Sequence, residues 1–200
     1  MVLSAALSAL LQAVLLGGVP FLLYYLWQRR YRQRTFLEAA RRAGLQLGDP
    51  RYLAFSLLFA AIGIAAQIAW PPPLEAISRK GTMYHSFAGA GIGPETIAAA
   101  LLCGVVQTGF TEELLFRGLL AGSLSRRMSL PWAVLVQALI FLLPHLGILF
   151  VAPELWYMLP FVFVMMLLMG WVRIKSGSIL GSWLIHASGN VATALLVARR

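Results

Sequence analysis

Charge is scarce in this chain. Only 12% of its 200 residues are Asp, Glu, Lys or Arg, whereas 60% are hydrophobic, and the mean hydropathy is +0.80. A soluble domain needs more polar surface than that to solvate itself, so a water-surrounded globule is excluded and the bilayer is the natural solvent. Cysteine is nearly absent as well. The single Cys103 sits beside Leu101 and Leu102 with no disulfide partner and no companion for a thiolate metal site, which leaves helix packing as its role. Neither an internal repeat nor a low-complexity tail is visible beyond the small-residue-rich N-terminal stretch.

What the sequence does have is apolar length. A hydrocarbon core of roughly 30 Å is crossed by about 20 apolar residues in a helix, and such stretches lie near 3–27, 52–70, 96–122, 130–150, 155–172 and 179–197. They predict an all-α fold, a polytopic bundle of about six transmembrane helices, built as a single integral membrane domain over residues 1–200. No length remains for a soluble domain of ordinary size. The stretch from Met1 to Trp27 lacks a basic start and runs into Gln28-Arg29-Arg30 rather than a cleavage site, so it reads as a retained first span.

The formal charge of +9 is unevenly spread, with Arg29, Arg30, Arg32, Arg34, Arg41, Arg42 and Arg51 crowded between the first two spans. Flanking apolar helices, they set topology and meet anionic lipid; they do not indicate nucleic acid. With that loop cytoplasmic, alternation places Arg126-Arg127 and Arg173-Ile174-Lys175 on the same side and both termini outside, while Arg79-Lys80 and Arg199-Arg200 run against the rule. The run from Thr35 to Gly44 predicts a short interfacial helix, and the segment from Pro71-Pro72-Pro73 to Pro94 an outer loop holding a solvated His85.

Ionisable groups inside the spans call for an explanation, because a charge at the centre of a spanning helix costs roughly 2.5–3.5 kcal/mol on insertion scales. The third span contains Thr111-Glu112-Glu113-Leu114-Leu115-Phe116-Arg117. Glu113 and Arg117, four apart, share a helix face and predict a pair, while Glu112 is turned away and freer to act as a general base. The fourth span carries Phe141-Leu142-Leu143-Pro144-His145, where proline removes a backbone bond and predicts a kink beside the imidazole. The sixth has His186-Ala187-Ser188-Gly189-Asn190, an imidazole and an amide one turn apart, both able to donate to an oxyanion. Taken singly, each group also reads as ordinary packing; their joint occurrence on three helices does not. Counted from the helix ends, Glu112 and His186 lie nearer the arginine-rich side than His145 does.

Glu112-Glu113-x-x-x-Arg117, Phe141-x-x-x-His145 and His186-x-x-x-Asn190 resemble the three ordered motifs of the CAAX-protease and bacteriocin-processing family of glutamate-dependent intramembrane endopeptidases. The resemblance covers Glu112 to Asn190, the motif core, and leaves the first half of the chain without a diagnostic feature. It implies that Glu112 and His145 activate water, that His186 and Asn190 stabilise the tetrahedral intermediate, and that Glu113, Arg117 and Phe141 support them. It implies no cofactor. Zinc held by Glu112, His145 and His186 is the less favoured alternative, since the His-Glu-x-x-His pairing of common zinc proteases is missing. The substrate implied is a membrane-anchored protein or peptide: a prenylated C-terminus, a leader peptide or a sorting tail. Nothing selects among these, or indicates an oligomeric state. Compact size and outward termini favour a bacterial inner (plasma) membrane. Two other classes remain: a transporter or channel with a buried Glu/His site, weakened by the missing repeat, and a non-catalytic immunity or scaffold protein of the same fold.

Overall fold

The structure, a computed structural model, describes residues 1–200 and is built of helices without strands. Six helices are long and apolar enough to cross a membrane: α1 (Val2–Arg32), α3 (Pro50–Ala69), α5 (Pro94–Leu124), α6 (Leu130–Phe150), α7 (Pro153–Ser176) and α8 (Leu180–Arg199). Two short helices, α2 (Phe36–Arg42) and α4 (Leu74–Ile77), lie in the loops.

The chain marks its own helix ends. Thr35 and Glu38 form a reciprocal capping box at the start of α2, where the sequence predicts an interfacial helix. That cap holds the Glu38 carboxyl below its ordinary range, through the Thr35 backbone N–H first and the Thr35 hydroxyl second. Asp49 caps α3 by accepting from the Arg51 N–H at 2.9 Å, and Pro50 follows at a position where no N–H is needed. Gly177 closes α7 in the left-handed conformation. The tight turn it makes is stitched to the 44–49 segment: Asp49 N–H donates to Ser176 C=O at 2.9 Å, and Ile179 N–H to Gly44 C=O at 3.0 Å. Gly48, at φ +70°, approaches the Ser176 carbonyl so closely that a Cβ would sit 2.5 Å from it.

At the centre of the bundle α8 packs most extensively against α3 and against the Leu102–Phe110 part of α5, while α1 lines the other side of that same segment. Glycine permits the α5–α8 crossing. A Cβ on Gly104 would meet Val191 Cγ2 at 2.7 Å and its backbone N at 2.9 Å. Among other glycines of the spans, Gly118 abuts the Ala43 carbonyl, Gly170 the Gln137 amide and Gly181 the Ser56 hydroxyl, but Gly189 has nothing nearer than Gln67 at 3.7 Å.

Three local structures differ from expectation. The segment 71–93 is more ordered than an open loop: α4 and a 3₁₀ turn at His85–Phe87 fold into an apolar cluster with Ala99, Cys103, Leu155 and Val197. Pro144 does not kink the middle of α6, because it stands in the last α-helical turn; the chain then tightens into a 3₁₀ helix over Leu146–Phe150. Most consequentially, α5 is π-helical over Leu102–Phe110 and again over Glu113–Ala121, so its turns are closed by i→i+5 bonds on both sides of Thr111-Glu112.

Candidate active site

The widened turns of α5 carry the two glutamates toward α8. Glu113 is fully buried, and its Oε1 lies 3.0 Å from Nη1 of Arg117, also fully buried. That Nη1 makes no angle-satisfying hydrogen bond, so the pair is a contact of charges more than a directed bond. The guanidinium is further held by the π face of Phe141, 4.5 Å from its carbon, and by the sulfur of Met166. The same Glu113 Oε1 is 3.0 Å from Nδ1 of His186. With Nδ1–H donating to a carboxylate, the ring orientation is fixed and Nε2 is left for the reacting centre.

Glu112 behaves differently from its neighbour. It is 19% exposed, makes no hydrogen bond and lies 3.9 Å from His186 Nε2, too far to bond and near enough for both to reach one small molecule between them. Asn190, one turn along α8, donates from Nδ2 to the Thr108 hydroxyl at 2.8 Å and accepts from the Tyr84 phenol at 3.1 Å. Thr108 in turn donates to the Cys103 carbonyl, at 3.0 Å. An amide has two N–H donors, so one on Asn190 stays free. Burial pushes the Tyr84 phenol up from its ordinary range, which keeps it a neutral donor and fixes which way the amide faces.

His145 joins the group indirectly. Its ring stacks on Phe141 at 4.4 Å between centroids, Phe141 lies edge-on 6.3 Å from His186, and its Nδ1 donates to the Phe141 carbonyl at 2.9 Å. Nε2 is thereby left as an acceptor. The structure thus brings Glu112, Glu113, Arg117, Phe141, His186 and Asn190 into one cluster, with His145 at its edge through Phe141, as its displaced depth in the sequence suggests.

Glu112, His145 and His186 do not converge as metal ligands, and no three His, Cys, Asp or Glu side chains in the molecule do. Nδ1 of each histidine is committed, His186 to Glu113 and His145 to the Phe141 carbonyl, which leaves Nε2 of each open as in metal-ligating histidines, so the misfit lies in the placement of the three side chains alone. The residues present do not fit a zinc site in this arrangement.

Thr108 and Tyr84 were not among the sequence-derived candidates. Thr108 was findable, standing four residues before Glu112; Tyr84, from a loop more than a hundred residues from Asn190, was not. A polar seam also ties α1 to α5, with Gln12 donating to Thr111 at 3.4 Å and accepting from Gln107 at 3.3 Å. Toward the arginine-rich end, Leu45, Leu47, Phe110, Ile179, Leu180 and Trp183 line most of an open apolar depression of about 330 Å³, which none of the site residues lines.

Residues 94–192, which include every one of these motif positions, match the family described as Type II CAAX prenyl endopeptidase Rce1-like. By that match the chain is similar to the Rce1-like family over the part that holds its motifs. The family is one of proteases, and the six apolar helices make this chain an integral, multi-pass membrane protein. No curated protein and no solved structure matches the chain.

Proposed function

We propose that this protein hydrolyses a peptide bond of a membrane-associated protein or peptide, with water activated by Glu112. The observation that carries the reading is the division of labour between adjacent carboxylates: Glu113 is sealed between Arg117 and His186, and Glu112 is unbonded and faces His186 Nε2. Glu112 takes a proton from water as the water oxygen attacks the scissile carbonyl, whose π electrons move onto its oxygen. The free N–H of Asn190 donates to that oxyanion, and so does Nε2 of His186 after taking a proton from solvent before the attack, with Glu113 as the counter-charge. Glu112 then returns its proton to the departing amine. His145 offers Nε2 from the edge of the cluster, where it can hold the water. The substrate belongs to the class of C-terminal tails, sorting anchors or leaders, and the membrane is a bacterial plasma membrane with the arginine-rich face inward.

The test is cleavage of a membrane-embedded reporter peptide by purified protein in detergent. Glu112→Gln should lower the rate about 10²–10⁴-fold, the range of a general acid–base contribution, while a strong zinc chelator leaves wild-type cleavage unchanged. Equal loss with chelator and with the substitution would replace a metal-free site by a metal site that rearranges these residues. Absence of cleavage by wild type across a broad peptide panel, together with a Glu112-dependent ion flux, would replace the protease by a transporter.

A further inference from the structure

On the arginine-rich face a second cluster of ionisable groups lies outside the catalytic one and contains no carboxylate. Arg173, in the last turn of α7, is only 5% exposed, yet its single hydrogen bond runs from Nη2 to the Arg42 carbonyl at 3.0 Å, and its Nε has no partner. The buried Nε of Arg42 has no partner either. Arg126 reaches the same place from the end of α5. A Cβ built on Gly122 would meet Nη2 of Arg173 at 3.1 Å and Nη1 of Arg126 at 3.5 Å, so two guanidiniums converge over one glycine. The nearby acceptors for Arg126 are neutral, the Ser123 hydroxyl at 3.1 Å and the Tyr24 phenol at 3.5 Å. The acid closest in sequence, Glu38, is used by the cap of α2.

Capping explains part of this, because Arg173 places a cation at the C-terminal carbonyls of α2. It does not explain why other cations gather there, since like charges repel and a buried donor without an acceptor costs about 1–3 kcal/mol. An oxyanion with several acceptor oxygens satisfies both needs, and guanidinium forks match the geometry of phosphate. We propose that Arg42, Arg126 and Arg173 form a binding site for a phosphate group, carried by the headgroup of an anionic phospholipid in the leaflet at this face or by free phosphate.

The measurement is the thermal unfolding midpoint of the purified full chain in neutral detergent, titrated separately with a short-chain phosphatidylglycerol, with a short-chain phosphatidylcholine and with inorganic phosphate. Wild type should gain stability with the anionic lipid and not with the zwitterionic one; a matching gain with inorganic phosphate would identify the free ion as sufficient. Arg126→Gln, at an exposed position that folding tolerates, should weaken the apparent affinity tenfold or more, and Arg173→Gln at least as much. Arg29→Gln removes the same charge from the same face outside the cluster and should leave the affinity unchanged. The proposal is overturned if neither anion stabilises wild type, or if Arg29→Gln weakens binding as much as Arg126→Gln does.

Discussion

Arg117 and Arg173 are both buried arginines in spanning helices, and they are buried for opposite reasons. Arg117 has its charge balanced within the molecule, by a carboxylate one turn before it, an aromatic face and a sulfur, although its Nε and Nη1 make no directed hydrogen bond. Arg173 has one backbone carbonyl and sits among other cations. The first arrangement closes on itself and gives Glu113 a rigid setting from which to orient His186. The second is open in charge and waits for a partner from outside. Burial alone therefore says little about what a charged group does; the sign and number of its neighbours decide.

The sharpest way to break the contrast is to remove each side chain and compare the losses. Arg117→Gln strips a buried carboxylate of its counter-ion and should cost about 3–5 kcal/mol, the usual result of breaking a buried pair from one side. Denaturant unfolding in mixed micelles measures this, and a loss below 1 kcal/mol would mean that Glu113 does not depend on the pair. Phe141→Leu keeps the pair and removes only the ring beneath it, with an expected cost of about 2 kcal/mol for a desolvated cation–π contact. The His145 ring, stacked on the same phenyl, should also become more mobile in the variant, which side-chain NMR can follow. Arg173→Gln should cost least, about 1 kcal/mol, since glutamine can keep a bond to the Arg42 carbonyl and charge crowding is relieved. If it costs as much as Arg117→Gln without added anion, Arg173 is a structural cap and the contrast fails.

Much of the Arg117 side of this comparison was legible in the sequence. Four-residue spacing predicts the Glu113–Arg117 pair, and the position of Glu112 outside it follows from the same geometry. The short helix after Thr35 was legible because its capping box is local. What could not be read were relations made by distant segments. The phenol of Tyr84 on Asn190 depends on how the 71–93 segment folds back, and the cluster around Arg173 needs the ends of α2, α5 and α7 to meet. The π winding of α5 also escaped a reading based on a 3.6-residue period, which has no term for a change of helix type. Pro144 misled in a related way: proline reports a missing hydrogen bond, but whether the chain bends there depends on how much helix follows.

The two helices with π turns, α1 and α5, are also the longest, 31 residues each, whereas α3 and α8 have 20. Twenty residues at about 1.5 Å each match a hydrocarbon layer of roughly 30 Å almost without excess. Their longer neighbours carry part of the excess outside the hydrocarbon, since the last turn of α1 holds Arg29, Arg30 and Arg32. Tilt of the helices or snorkelling of those end residues takes up what apolar excess remains, and α3 needs neither. The bundle is therefore uneven in height, with the end of α1 standing out of the hydrocarbon while the twenty residues of α3 only just cross it.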